Sequence, residues 1–321
     1  MFSRVFTRSV STGVESRAVF DNFLQFVKTP QTLRPYIYRK KNANRLLAMD
    51  LKDPETKLPI QPRPSVLRPS ASVLNSVILN TSSAEELENM VRDWKNITPR
   101  RKEFWSYLTP QHLQNMLLTS TFKFGALGAV LNVLYQIQPL LVKAKQLEAY
   151  NVDVWYNTVL MCQLHRNAFH NVEDSGMVER GLRKLSSTVT KREDTTGLTK
   201  EIVQALGRQQ NVEVKLPNFA RNIEINLPSI DVSTASQNQL RTFLTKNTTQ
   251  YLLSRTALDF GSTEAKLQQF VENYQAVLAQ NSVADIYDKY VSQYKQLLTQ
   301  KSAESETTEE AHADAQAEET K

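Results

Sequence analysis

From Phe104 to Phe169 apolar side chains recur at helical spacing with only short polar breaks, and such a stretch folds by burying helix faces on one another. It opens at Tyr107-Leu108-Thr109-Pro110. Thr109 is a good N-cap, and Pro110 suits the first helical position, where its missing N–H costs nothing. Leu113, Met116 and Leu117 then share a face with Ser120 and Thr121. After the turn Phe122-Lys123-Phe124-Gly125, Ala126, Leu127, Val130, Leu131 and Leu134 build a second helix, which Gln138-Pro139 is expected to bend or end. A third helix is expected to take Asp153 as its cap and to carry Trp155, Val159, Leu160, Cys162, Leu164 and Phe169. The stretch reads as a packed α-helical core.

That core offers little chemistry. A catalytic or metal site needs convergent histidine, cysteine or carboxylate groups. The candidates are His112, Cys162, His165 and His170. Cys162 and His165 lie three apart and share a helix face, while His170 points elsewhere. A zinc site would need more, so the set reads as a buried free cysteine with solvated histidines. No metal, cofactor or catalytic residue is expected. With only 8 glycines and neither GxGxxG nor GxxxxGK[ST], the chain has no signature of a nucleotide-binding loop. A single cysteine excludes a disulfide framework and fits a reducing compartment. The longest apolar run, 126–142, is broken by Asn132, Gln136, Gln138 and Pro139, short of the ~20 residues that span a bilayer, so no membrane span is expected.

Charge is unevenly placed. Residues 1–70 hold 13 Lys/Arg against 5 Asp/Glu, a net of +8, whereas 302–321 hold 7 acids against Lys321, a net of −6. In Met1 to Val27, Arg4, Arg8 and Arg17 alternate with Phe2, Val5, Phe6, Val10, Val14 and Phe20, with no acid before Glu15. That is the composition of a mitochondrial transit peptide, with Arg8 three residues ahead of a cut before Ser11. A membrane-surface helix shares the pattern. Residues 28–70 are basic and proline-rich, with five prolines between Pro54 and Pro69 that favour an extended path. Arg34, Arg39, Lys40, Lys41 and Arg45 surround Tyr36 and Tyr38, and Arg63 and Arg68 follow. Cations neutralise phosphates and tyrosines stack on bases, so this arm is expected to contact RNA; a solvated linker would have the same composition. Arg100, Arg101 and Lys102 oppose the dipole of the helix they precede, which calls for an external anion or leaves a solvated basic corner.

The remainder is mostly helical by pattern. Ser82…Glu85 and Ser83…Glu86 both make capping boxes ahead of the face Leu87, Met90, Val91, Trp94. Helices are expected across 175–210 and 236–300, the last opened by Ser282…Asp285. Val212–Pro217 and Ile223–Pro228 alternate apolar and polar residues and end in proline, the spacing of a β-hairpin. From Ser302 the chain is acidic, without large apolar groups, and expected to be disordered.

Three motifs resemble the iron/manganese superoxide dismutase family. Leu108-Thr109-Pro110-Gln111-His112-Leu113-Gln114-Asn115-Met116 resembles its first core-helix pattern L-[ST]-P-x-x-L-x-x-H. Val154-Trp155-Tyr156-Asn157-Thr158-Val159 is similar to its V-W-N-H-T-F, and Phe260-Gly261-Ser262 with Phe270 to its F-G-S helix. Met116 and Asn157 stand where the family has histidine ligands, and its D-x-W-x-H-A-Y motif is absent. Metal-free relatives of that family occur as fungal mitochondrial small-ribosomal-subunit proteins, and this chain resembles them. The resemblance implies a dismutase-like helical core whose metal site is lost. It also implies a mitochondrial-matrix location, with small-subunit rRNA and other small-subunit proteins as partners, among them a second dismutase-like subunit in a heterodimer.

The expected organisation is therefore mainly α with a minor β hairpin. Residues 1–27 form the transit segment, 28–70 the basic arm, 71–301 the helical domain with its hairpin near 211–230, and 302–321 the acidic tail. The expected function is a structural, non-enzymatic constituent of the mitochondrial small ribosomal subunit that supports translation. A helical RNA-binding factor for mitochondrial transcripts is the alternative, since Asp153 to Thr158 faintly echoes pentatricopeptide helices, although no period near 35 residues links 107–138 to 150–186. An active redox metalloenzyme is a third reading.

Overall fold

Phe20, Phe23, Leu24 and Val27 recur at i, i+3, i+4 and i+7, and that stripe seals the first helix onto the rest of the molecule. In the computed structural model, which describes residues 3–53, 57–171, 175–220 and 223–300, this helix is α1, Ser3–Lys28. Short helices α2 (Arg34–Ile37) and α3 (Ala43–Ala48) follow, then α4 (Ala71–Leu79), α5 (Ala84–Lys95) and α6 (Lys102–Trp105). The middle holds α7 (Pro110–Leu118), α8 (Leu127–Lys143) and α9 (Asn157–His170). The C-terminal part holds α10 (Ser175–Thr188), α11 (Leu198–Gln210), α12 (Gln237–Asp259), α13 (Ala265–Gln280) and α14, residues 286–300. Met1-Phe2, Pro54, the 302–321 tail and the side chains of 3–13 and 175–178 lie outside the described residues.

One core joins these helices apart from α2 and α3. α1 packs on α4, α4 on α7, and α5 on α8, while α12 and α13 pair and α11 bridges α9 and α12. Phe20 and Phe23 make ring contacts with Trp94, Phe104 and Tyr107 at centroid separations of 5.4 to 6.5 Å. α9 is buried along most of its length, from Asn157 to Asn167, and touches α7, α11 and α12. Its apolar residues, Val159, Leu160, Met161, Cys162 and Leu164, are enclosed together with polar Asn157, Thr158, His165 and Asn167, while Arg166 and His170 face solvent.

The caps follow their sequence signals in α5 and α7. The Ser83 hydroxyl accepts the Glu86 N–H at 3.1 Å, and the Glu86 carboxylate accepts the Ser82 N–H at 2.9 Å. In α7, His112 occupies the usual glutamate place, its Nδ1 accepting the Thr109 N–H at 3.0 Å. Two expectations are corrected. Asp153 does not cap the third helix: Asn151 accepts the Val154 N–H at 2.7 Å and opens a π-helical turn, Val152–Tyr156, ahead of α9. Asp153 instead accepts the Thr195 N–H at 3.0 Å. Of the two outcomes expected at Pro139, a bend or an end, the end is overturned: α8 continues to Lys143, with Leu141 and the following Ala144 buried in the core.

The 212–217 and 223–228 segments are extended, yet no ladder joins them among the described residues, whose β contacts are two isolated bridges elsewhere. Their alternation is satisfied by seating Val214, Leu216, Ile225 and Leu227 on the helical core. Backbone partners come from elsewhere as well. The Asn226 N–H donates to the Thr196 carbonyl at 3.0 Å, and the Asn273 side chain of α13 bonds both the N–H and the carbonyl of Ile230. Gly197, at φ +74°, permits this approach, since a Cβ there would stand 2.6 Å from the Glu224 carbonyl oxygen.

α1 is thus a wall of the common core. Phe23→Ala should cost about 3–5 kcal/mol in a denaturant titration followed by far-ultraviolet circular dichroism. A loss under about 1 kcal/mol would show that α1 melts apart from the rest.

Candidate nucleic-acid interface

The ten cations singled out from the sequence divide into two groups. α1 ends at Lys28, leaving carbonyl groups without helical partners at the negative end of the helix dipole. Arg34 donates from Nε to the Thr29 carbonyl at 3.2 Å and from Nη2 to the Val27 carbonyl at 3.0 Å. Its guanidinium lies 4.3 Å over the Phe26 ring. Arg101 reaches the same Thr29 carbonyl, at 3.1 Å and from 72 residues away. Burial, then the charge of Arg101, pushes the Arg34 pKa below the usual arginine range. Arg68 is bound too, with Nη2 donating to the Ser106 carbonyl at 2.9 Å and Nη1 to its hydroxyl at 3.1 Å. These three arginines are struts. The cation at the start of α6 is explained by the C-terminus of α1, with no external anion needed there.

The other group faces solvent. Lys40 and Lys41 begin a 3₁₀ turn, Lys40–Asn42, Arg39 caps it, and Arg45 lies on α3. A small satellite core of Ile37, Tyr38 and Leu46 holds this knot beside α1. The Arg63 N–H donates to the Ile37 carbonyl at 2.8 Å, which fixes the proline-rich segment against the same knot. Arg39, Lys40, Lys41, Arg45, Arg63, Arg100 and Lys102 are all exposed, and none pairs with an acid among the described residues. Because Arg101 and Arg34 meet at Thr29, the 100–102 corner is drawn to the start of the arm. Unpaired like charges gathered in this way favour a polyanion.

Tyrosine stacking is corrected. Tyr38 is buried edge-on against Phe26 at 5.0 Å and shares a hydrogen bond with the Thr29 hydroxyl, and half-buried Tyr36 packs on the satellite core. Their rings fold the arm. The sequence signal for that role was present in the spacing of Phe26, Ile37 and Leu46 from these tyrosines, but it could not be separated from a stacking pattern without the contacts.

Among the described residues no three His, Cys, Asp or Glu groups converge. Met116 and Asn157, which the dismutase resemblance sets at ligand positions, are both buried, and the Asn157 amide makes no hydrogen bond in this structure. A thioether and a neutral amide do not fit iron or manganese. Cys162 is buried, and burial raises its thiol to about 12. Of the histidines expected to be solvated, His112 and His165 are buried, while His170 is exposed. His112 donates from Nε2 to the Ala71 carbonyl at 2.9 Å, and His170 meets the Tyr294 hydroxyl at 3.0 Å. His165 is ringed by Phe122, Phe169, Phe260 and Tyr287. Burial pushes its imidazole down to about 4.

Two family models match this sequence. Residues 4–80 match the MRP13-like N-terminal domain and residues 83–309 the MRP13-like C-terminal domain. The junction falls between α4 and α5, although α4 also packs on α7.

The division of cations is testable by stability. Arg34→Ala should cost about 1.5–3 kcal/mol, because charge-assisted bonds to two helix-end carbonyls are lost. Lys40→Ala should stay within about 0.5 kcal/mol of wild type. Equal effects in denaturant titrations would refute the division.

His165 predicts a pH dependence. Its folded pKa is depressed, so the unfolded chain takes the proton first, and ∂ΔG/∂pH is positive across this window. The contribution is fully present above the unfolded value near 6.5 and is lost as pH falls towards about 4. Between pH 7 and pH 5 wild type should lose roughly 2 kcal/mol more than His165→Gln. Parallel losses in the two proteins would show that His165 does not carry the effect.

Proposed function

This chain belongs to the MRP13-like family, a mitochondrial ribosomal protein family, and from that premise we propose that it is a structural constituent of the small subunit of the mitochondrial ribosome. It acts in the matrix, without enzymatic activity, and supports translation by holding rRNA and neighbouring proteins in place. The observation that carries the rRNA reading is the set of seven exposed cations on the 39–63 knot and the 100–102 corner that pair with no acid among the described residues. Phosphates supply the missing counter-charge, and release of the strand's condensed ions drives binding.

Three further elements belong to the proposal. The start of the chain is a transit segment cut ahead of Ser11, which leaves the buried stripe of Phe20 to Val27 in the mature protein. The helical body descends from the iron/manganese dismutase family and keeps its packing without its metal, with apolar Met116 and neutral Asn157 in place of ligands. It docks neighbouring small-subunit proteins, a second dismutase-like subunit among them.

Gradient sedimentation of mitochondrial extracts tests this reading. The chain should co-migrate with small subunits and resist a salt wash. Changing Arg39, Lys40, Lys41 and Arg45 together to alanine should release it at lower salt, each lost duplex contact lowering the salt slope by up to about one, with melting of the free protein unchanged. Free, light material at all salt concentrations would overturn the ribosomal assignment, and an unchanged salt profile would overturn the role of the knot.

A further inference from the structure

Between α10 and the extended 212–219 segment lies a groove of about 750 Å³, away from the arm in sequence. Three elements each send one cation to it. Arg183 comes from α10, Arg192 from the loop before α11, and Lys215 from the extended segment. Local patterning sets each direction. On α10 Leu185 is buried, which leaves Arg183 and Ser187 exposed. On the extended segment Val214 and Leu216 pack on the core, so Lys215 stands out.

None of the three cations pairs with an acid among the described residues, and Arg192 makes only a long bond, 3.4 Å, to the Val189 carbonyl. Glu179 is the carboxylate that lines the groove among the described residues, so the lining is net positive. Its floor is aromatic. Phe219, half-buried, packs edge-to-face at 5.2 Å on Tyr156, which is buried beneath it. Ser186, Ser187 and Asn218 supply neutral hydrogen-bonding groups at the rim.

Three convergent cations call for an anion of more than one charge, and a fixed ring beside them calls for a flat partner. A single-stranded nucleic acid offers both within one nucleotide, phosphate and base on either side of the ribose. An acidic peptide offers the charge without the flat face. The volume lies inside the ~300–1,000 Å³ range of small-ligand sites and accommodates a nucleotide.

We propose that this groove is a second RNA contact, in which Arg183, Arg192 and Lys215 bind the phosphates of a single-stranded segment and Phe219 supports its base. The inference rests on the rRNA-binding reading above and adds a surface on the C-terminal part of the chain.

The test uses the full chain, a short fluorescent single-stranded oligoribonucleotide of mixed sequence, and anisotropy across a salt series. Arg183→Ala, Arg192→Ala and Lys215→Ala are combined in one variant. All three side chains are exposed, so its melting curve should match wild type. At low salt its affinity should fall by about tenfold or more, and the slope of log K against log salt should shrink by up to about two. The variant at Arg39, Lys40, Lys41 and Arg45 is measured in parallel. If the groove variant keeps wild-type affinity and slope while the arm variant loses both, the groove proposal falls and the arm stands. If only the groove variant weakens, the groove stands and the role of the knot falls. A groove variant that loses affinity for polyglutamate yet keeps its RNA affinity would identify a docking place for an acidic protein and overturn the proposal.

Discussion

Burial of α9 is the constraint on which the structure depends. The buried residues of α9 lie on several sides of the helix, so more than one other helix must enclose it. α7, α11 and α12 do so, and α7 and α12 in turn pack on the next layer, α4 behind α7 and α13 behind α12. The polar side chains in this interior are mostly paired. Gln114 donates to the Thr158 hydroxyl at 3.2 Å and accepts from Thr249 at 2.9 Å, which ties α7, α9 and α12 together. The exceptions stand out for that reason, Asn157 above all, whose buried amide bears the desolvation cost without a partner in this structure.

The outer end of α14 is held by charge. Asp285 accepts the Tyr287 N–H at 2.8 Å and so caps the helix, and the same carboxylate receives the Tyr251 hydroxyl and, at 3.1 Å, Arg255. Arg255 also bonds Asp288 at 3.0 Å and lies 4.7 Å over the Tyr287 ring. One capping residue therefore fastens a terminal helix to α12 through a network, where an isolated surface pair would contribute little.

A similar economy governs the basic arm. An arginine near a free helix end meets carbonyl oxygens that need donors, and Arg34 and Arg101 are taken up in that way. Arg39, Lys40, Lys41 and Arg45 have no such neighbour and stay in water, paired with no acid among the described residues. The difference between a strut and a solvent-facing cation here is only what lies within 3 Å or so of the charged group.

Periodicity made most helices legible, because burial on one face repeats every 3.6 residues whatever the partner. The stripe Leu87, Met90, Val91, Trp94 and the caps at Ser83 and Thr109 depend on residues no more than a turn or two away. The hairpin was misread for the same reason. Alternation at 212–217 and 223–228 reports that one face is buried, and helices bury it as well as a second strand would. Asn151 displaced Asp153 as a cap because a distant backbone, at Thr195, claimed the aspartate. Composition and local pattern thus determined a helical, basic-fronted chain. Which arginines are structural, where the tyrosines of the arm point, and that Arg183, Arg192 and Lys215 share a groove were decided by tertiary packing, because each depends on groups distant in sequence that meet only when the core closes.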